Sequence, residues 1–168
     1  VIVGTGLGGG AVRDGKTIRG KDGCAGHAGH VFLPRYAFRY EHDRELVVGN
    51  AQCTIESAVS LTSLAHQLEY RLSLEQWADH PLRSVPGSTR YKALQLRGLA
   101  AQGDRLALEL FSDQARALGI GLLSLDYVGN YDLLVIGGGV CDLAPEVRGQ
   151  YLATAEQAYR EFALDGFK

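Results

Sequence analysis

The sequence predicts an α/β fold with a mixed sheet that opens on an antiparallel hairpin and is packed by helices. Three observations carry this. Val1-Ile2-Val3 runs directly into Gly4-Thr5-Gly6-Leu7-Gly8-Gly9-Gly10. Leu108, Phe111, Ala115, Leu118, Leu122 and Leu125 recur at three- and four-residue steps, and the apolar run 133–136 leads into Gly137-Gly138-Gly139. A long helix crossing between two strand-then-glycine junctions is the signature of a parallel pair, whereas a tight turn soon after the first strand belongs to an antiparallel one.

Taken in order, Asp14-Gly15 is suited to a two-residue hairpin turn, with 16–19 as the return strand, and 31–33 predicts a third short strand. The segment 34–48 alternates Tyr36, Phe38 and Tyr40, then crosses a charged stretch, and is read as an extended excursion. From Glu56 the period changes: Leu61, Leu64, Leu68 and Leu72 form one apolar face and predict a helix over 56–72. Pro81, Pro86 and Gly87 mark 73–89 as a surface connection with a helical turn near Trp77. Residues 92–101 read as helical, and the long stripe predicts the best helix of the chain, stopped by Gly129-Asn130. Residues 133–136 are apolar throughout, as in a strand buried on both faces. Pro145 opens a last helix carrying Tyr151, Ala155, Ala158 and Phe162.

With 168 residues, 46% hydrophobic and 21% charged, the chain fits one globular domain with a real core. A net charge of −2 with both signs scattered offers no basic face for a polyanion, so nucleic acid is not an expected partner of this segment. Cys24, Cys53 and Cys141 are odd in number, far apart and without a paired spacing, as free thiols in a reducing, cytoplasmic compartment are. No apolar run approaches the roughly 18 residues of a spanning helix. There is no methionine, and the first residues read as the inside of a strand, so the expectation is a piece of a longer protein.

The first glycine loop admits two readings. Gly4-x-Gly6-x-x-Gly9 after a strand matches the dinucleotide fingerprint, but that fingerprint needs a helix to start at its third glycine, with the N-terminus facing a pyrophosphate. Asp14-Gly15 follows only five residues on and leaves no room for one. The favoured reading is a glycine loop turning a hairpin, in which Thr5 and the amides around Gly6 embrace phosphates, as actin-like ATPases hold the phosphates of ATP.

The stretch 4–30, GTGLGGGAVRDGKTIRGKDGCAGHAGH, resembles the start of the C-terminal lobe of the ROK family of sugar kinases and sugar-responsive repressors, whose pattern is GTGxGGG, a hairpin, then AGExGH. Glu56-Ser57-Ala58-Val59-Ser60 resembles its ExxxS. Gly119-Ile120-Gly121-Leu122, followed by Leu134-Val135-Ile136-Gly137-Gly138-Gly139-Val140, resembles its GIGL and IVIGGGV. The resemblance covers nearly the whole chain and implies one lobe, 1–168, of a ribonuclease H-like (actin-like ATPase) fold, with the N-terminal lobe outside it. It implies phosphoryl transfer from ATP with Mg2+ to a glucose-like hexose, the particular sugar not being fixed by these residues, in a cytoplasmic homodimer.

The resemblance further implies that Thr5 and Gly6 sit at the phosphates and Gly137, Gly138 and Gly139 at the adenosine, while His27, His30 and Glu56 contact the sugar. The catalytic aspartate belongs to the other lobe, so no catalytic residue is expected here and the isolated chain is expected to be inactive. Two departures stand out. His27 occupies the position of a glutamate, so an imidazole replaces a carboxylate that accepts sugar hydroxyls. Leu46 and Val48 stand where the family's zinc cysteines fall, leaving Cys53 one position out of register, and no structural zinc is expected. These departures keep open a sugar-sensing repressor or a non-catalytic relative beside the kinase. Plainer roles stand beside the sharp ones: loop structuring for the two histidines, a first-turn helix carboxylate for Glu56. His42, His66 and His80 are assigned to solvated surface, and Trp77 with Tyr36, Phe38 and Tyr40 to packing.

Overall fold

The computed structural model describes residues 1–168. Strand β1 (Ile2–Val3) pairs antiparallel with β2 (Leu7–Gly8), the two joined by the first glycine loop. The hairpin at Asp14-Gly15 forms between β3 (Val12–Arg13) and β4 (Lys16–Thr17) as a separate two-stranded sheet. Both turn residues have positive φ, 52° and 73°, the backbone a two-residue turn between right-twisted strands demands. The expected strand at 31–33 is reduced to a bridge between Phe32 and Thr54.

The excursion at 34–48 is not extended. It folds into two 3-10 turns, Arg35–Ala37 and His42–Arg44, the second of which carries Asp43 inward to meet a buried arginine. The single helix expected over 56–72 is two: α1 (Ile55–Ala58) and α2 (Leu61–Ser73). Two serine-threonine capping boxes cause the break. Thr54 and Ser57 cap α1, Ser60 and Ser63 cap α2, and Ser60 itself is extended at φ −157° and ψ 168°. The connection that follows contains 3-10 turns at Glu75–Trp77 and Pro81–Arg83.

Helices α3 (Thr89–Ala101) and α4 (Arg105–Gly129) follow, capped by Ser88 and Asp104. Asn130, left-handed at φ 45°, ends α4. The strand after it, β5, is Gly137–Gly138, parallel to β1 in register Ile2 with Gly137. The sheet order is therefore β2-β1-β5, mixed as expected. The run 133–136 is not a doubly buried strand: Leu133 and Val135 are 75% and 62% exposed. The Val1 nitrogen donates to the Val135 carbonyl at 2.6 Å, which ties this run to the start of β1.

Helix α5 (Pro145–Phe162) lies against α4. Two glycines of α4 set the layers. An ideal Cβ on Gly119 would stand 2.1 Å from the Ala155 carbonyl of α5, and one on Gly121 2.5 Å from Ile55 of α1. Two residues apart on a helix point to nearly opposite sides, so the Gly-x-Gly pair lets α4 receive backbone on one face and a core isoleucine on the other. Leu106, Leu110 and Leu118 of α4 and Leu68 and Leu96 of its neighbours are wholly buried in the core this creates.

Candidate functional site

The first glycine loop is held from behind by α1 and α2. The Leu61 amide donates to the Gly4 carbonyl at 2.9 Å, and Thr62 Oγ1 donates to the Thr5 carbonyl at 3.1 Å. The Leu7 amide donates to Glu56 Oε2 at 2.6 Å. Gly6 is required by this arrangement, because a Cβ there would stand 2.7 Å from the same carboxylate oxygen. With its carbonyls thus occupied, the loop leaves the amides of Thr5 and Gly6 donating to no acceptor in the protein. Unpaired amides at a glycine turn can donate to an oxyanion, so a phosphate group fits the chemistry of this loop.

A cavity of about 330 Å³ lies beside the loop, large enough for a small organic ligand. Gly4, Thr5 and Ser60 line it together with Gly139 and Asp142 from the second glycine segment. Both glycine loops thus meet one cleft, although their glycines divide the labour. Gly138, at φ 78°, lies so close to β1 that a Cβ would be 2.3 Å from the Val3 carbonyl, and it serves strand pairing. Gly137 pairs with Ile2, and of the three only Gly139 lines the cavity. The Arg97 guanidinium reaches over Gly139 from α3 and pairs with Asp142 at 3.2 Å.

The histidine pair occupies a 3-10 turn, Ala28–His30, on the other side of the first loop. The rings of His27 and His30 are exposed and lie 5.9 Å apart, tilted by 47°. Glu56 joins this turn to the first glycine hairpin. It lies within 3.2 Å of where a Cβ on Gly29 would be, and that Cβ would also strike the Leu7 carbonyl at 2.4 Å. Only Oε2 of Glu56 accepts a hydrogen bond within the protein, which leaves Oε1 without a partner there. No group of three or more His, Cys, Asp or Glu is placed to hold a metal ion, and the three cysteines are free thiols.

Sequence reasoning missed the places of Arg97, Asp142 and Tyr151 on the cavity wall. None of the three belongs to a motif: Tyr151 reads as one member of an apolar stripe and Arg97 as one solvated charge. His42, His66 and His80 are not solvated surface. His42 stacks between His66 at 4.0 Å and Tyr70 at 4.6 Å, and the nearly buried His80 ring pairs with Asp104 at 3.0 Å. Tyr36 and Tyr40 do serve packing, against Phe162 and Tyr70.

A glycine hairpin with free amides, a parallel second glycine strand and a cleft between them define an α/β protein of the actin-like ATPase fold. The chain belongs to the ROK family, whose profile matches residues 1–168. It is similar to a ROK hexokinase from Thermus thermophilus, at 29% identity and a TM-score of 0.72 over 99% of this chain and 49% of that one. A ROK family glucokinase from Streptomyces griseus, solved with glucose and AMPPNP, matches at 26% identity and a TM-score of 0.74, over 96% of this chain and 49% of that one. The glucokinase of Thermotoga maritima is 27% identical over 141 residues, 83% of this chain and 42% of its own length. The chain therefore spans less than half the length of each of these relatives. A ROK transcriptional regulator, homologous to the E. coli MLC protein, shares the fold at a TM-score of 0.73 and 23% identity. No helix is long and apolar enough to cross a membrane.

Proposed function

We propose that this chain is the C-terminal lobe of a cytoplasmic, dimeric ROK hexose kinase and supplies the nucleotide cradle and part of the sugar site. The observation that carries the reading is the first glycine loop, whose carbonyls are tied down by α2 while the Thr5 and Gly6 amides remain free beside a cavity shared with Gly139. In phosphoryl transfer the protein contributes chiefly positioning and charge stabilisation, and this loop provides both. The Thr5 and Gly6 amides hold the phosphate oxygens, and the bare backbone of Gly139 lets the nucleoside approach. His27, His30 and the free Oε1 of Glu56 orient the sugar hydroxyls. The proton of the attacking hydroxyl passes to a carboxylate outside this chain. Mg2+, when bound with ATP, neutralises the charge of the transferred group.

The test is ADP release by the full-length protein over a panel of hexoses, with a His27→Glu variant alongside. Sugar-dependent turnover is the expected result, with the order of sugar preference altered in the variant. A protein that releases no ADP with any hexose is not a kinase. His27, an imidazole where the family's pattern has a carboxylate, favours a second reading as a non-catalytic relative. That reading requires no turnover with any hexose and loss of the catalytic aspartate from the other lobe.

A further inference from the structure

Arg97 and Asp142 are the only charged side chains on the wall of the cavity beside the glycine loops. Both are accessible, with side chains 48% and 67% exposed. Asp142 sits in the turn after the second glycine segment, where the Cys141 amide donates to the Gly138 carbonyl at 2.9 Å and the Asp142 amide to that of Gly139 at 3.3 Å. Arg148 Nη1 donates to the Cys141 carbonyl at 3.0 Å and fixes the turn from outside. A Cβ on Gly139 would strike Arg97 Nη2, so the bare glycine seats the guanidinium against this loop. Within the protein the two side chains make one hydrogen bond, from Arg97 Nη1 to Asp142 Oδ2 at 3.2 Å, and Asp142 Oδ1 has no donor. An ion pair this exposed contributes little to stability. A guanidinium alone would suit a phosphate; with a carboxylate beside it the wall carries no net charge and suits a neutral polar group.

We propose that Asp142, positioned by Arg97, is the specificity-determining contact for the ribose hydroxyls of the phosphoryl donor. The inference rests on the nucleotide reading of the cleft given above. Vicinal hydroxyls donate, and a carboxylate, which only accepts, is their complement. Gly4 and Thr5 bring the phosphate hairpin to the same cavity, and Leu64, Phe111 and Leu143 give it apolar walls for a base, which leaves the charged pair to the sugar that joins the two. A bare polyphosphate offers the carboxylate no donor and is repelled by it. Asp142 therefore separates nucleotide donors from phosphate chains without touching the transferred group.

The experiment titrates the full-length protein and its Asp142→Ala and Arg97→Met variants by calorimetry, without hexose, with ATP, 2′,3′-dideoxy-ATP and tripolyphosphate, and records each melting temperature without ligand. The wild type is expected to bind ATP about tenfold more tightly than dideoxy-ATP, the size of a hydrogen bond to a charged group. Asp142→Ala is expected to remove that ratio by weakening ATP alone, with tripolyphosphate held no more weakly and the melting temperature unchanged. Arg97→Met is expected to lower the ratio to about threefold, since the carboxylate loses its anchor. A wild type that binds ATP and dideoxy-ATP equally, or a ratio that survives Asp142→Ala, overturns the assignment while leaving the cleft a nucleotide site. Equal weakening of all three ligands by Asp142→Ala, with a lowered melting temperature, also overturns it and makes the pair structural. An unchanged ratio in Arg97→Met overturns the positioning role of Arg97. Failure of the wild type to bind ATP at all overturns the nucleotide reading itself and the Asp142 contact with it.

Discussion

Glu56 and Leu7, 49 residues apart, are joined by a 2.6 Å bond from the Leu7 amide to the Glu56 carboxylate, at the strand that leaves the glycine loop. A bond to a charged acceptor in a half-buried place is worth more than a solvated first-turn carboxylate. Glu56→Ala is expected to cost about 1–3 kcal/mol in urea unfolding, because the Leu7 amide loses its acceptor. Glu56→Gln, which keeps an acceptor, is expected to cost about half as much. A loss of only a few tenths for Glu56→Ala would mean the carboxylate is no anchor.

Alanine substitutions at two helical glycines should have opposite signs. Gly149 in α5 has open space around its Cβ position, so Gly149→Ala is expected to stabilise by about 0.5–1 kcal/mol through helix propensity. Gly119→Ala meets the rigid Ala155 carbonyl at 2.1 Å and is expected to destabilise by about 1–3 kcal/mol or more despite the same propensity gain. Thermal melts of the two variants decide the matter, and similar shifts would refute backbone contact between α4 and α5.

Arg71 is wholly buried and donates from both terminal guanidinium nitrogens to Asp43 at 2.8 Å, and from one of them also to Asp113 at 3.1 Å. Tyr40 covers its face at 4.1 Å. Removing the cation leaves Asp43, itself 2% exposed, as a charge without its partner. Arg71→Met is therefore expected to destabilise by about 3–5 kcal/mol in denaturant titration, whereas a double variant with Asp43→Asn recovers part of that loss.

Stability should fall with acidity in a window set by His42. Burial, then the neighbouring His66, holds the His42 imidazole below its usual value of 6.5, against the weaker opposing pull of Glu45 and Asp43; Arg71 adds to the depression and Tyr70 covers the ring. The unfolded chain therefore takes up this proton first. The contribution of the neutral ring is complete above about pH 6.5 and is lost as pH drops from there toward the folded value. Melting temperatures measured from pH 7.5 to 5 are expected to fall, and a His42→Phe variant, which keeps the stack, to flatten that part of the curve. An unchanged curve in the variant would assign the acid sensitivity to other groups.

Features decided by local chemistry were legible in the sequence. The Asp14-Gly15 turn, the end of α4 at Asn130 and the start of α5 at Pro145 each rest on one or two residues with restricted backbone preferences. The hairpin reading of the first glycine loop held because spacing alone excluded a helix after Gly9. The break between α1 and α2 was hidden under the leucine period. Its signal was Thr54, Ser57, Ser60 and Ser63 at three-residue steps, two capping boxes end to end. What depends on distant partners was not legible: Asp43 turning inward to Arg71, His42 meeting His66, or Arg97 reaching over Gly139 to Asp142. Residues 133–136 show the same limit, since apolar composition says nothing about which strand is available to cover it.

The break at Val59 and Ser60 has a mechanical result. Because α1 holds the exit of the first glycine hairpin through Glu56 while α2 holds its entry through Leu61 and Thr62, the hairpin is anchored at both ends by two separate helices. Gly29 is wedged against Leu7 and Glu56, so the histidine turn and the glycine hairpin are braced against the same carboxylate.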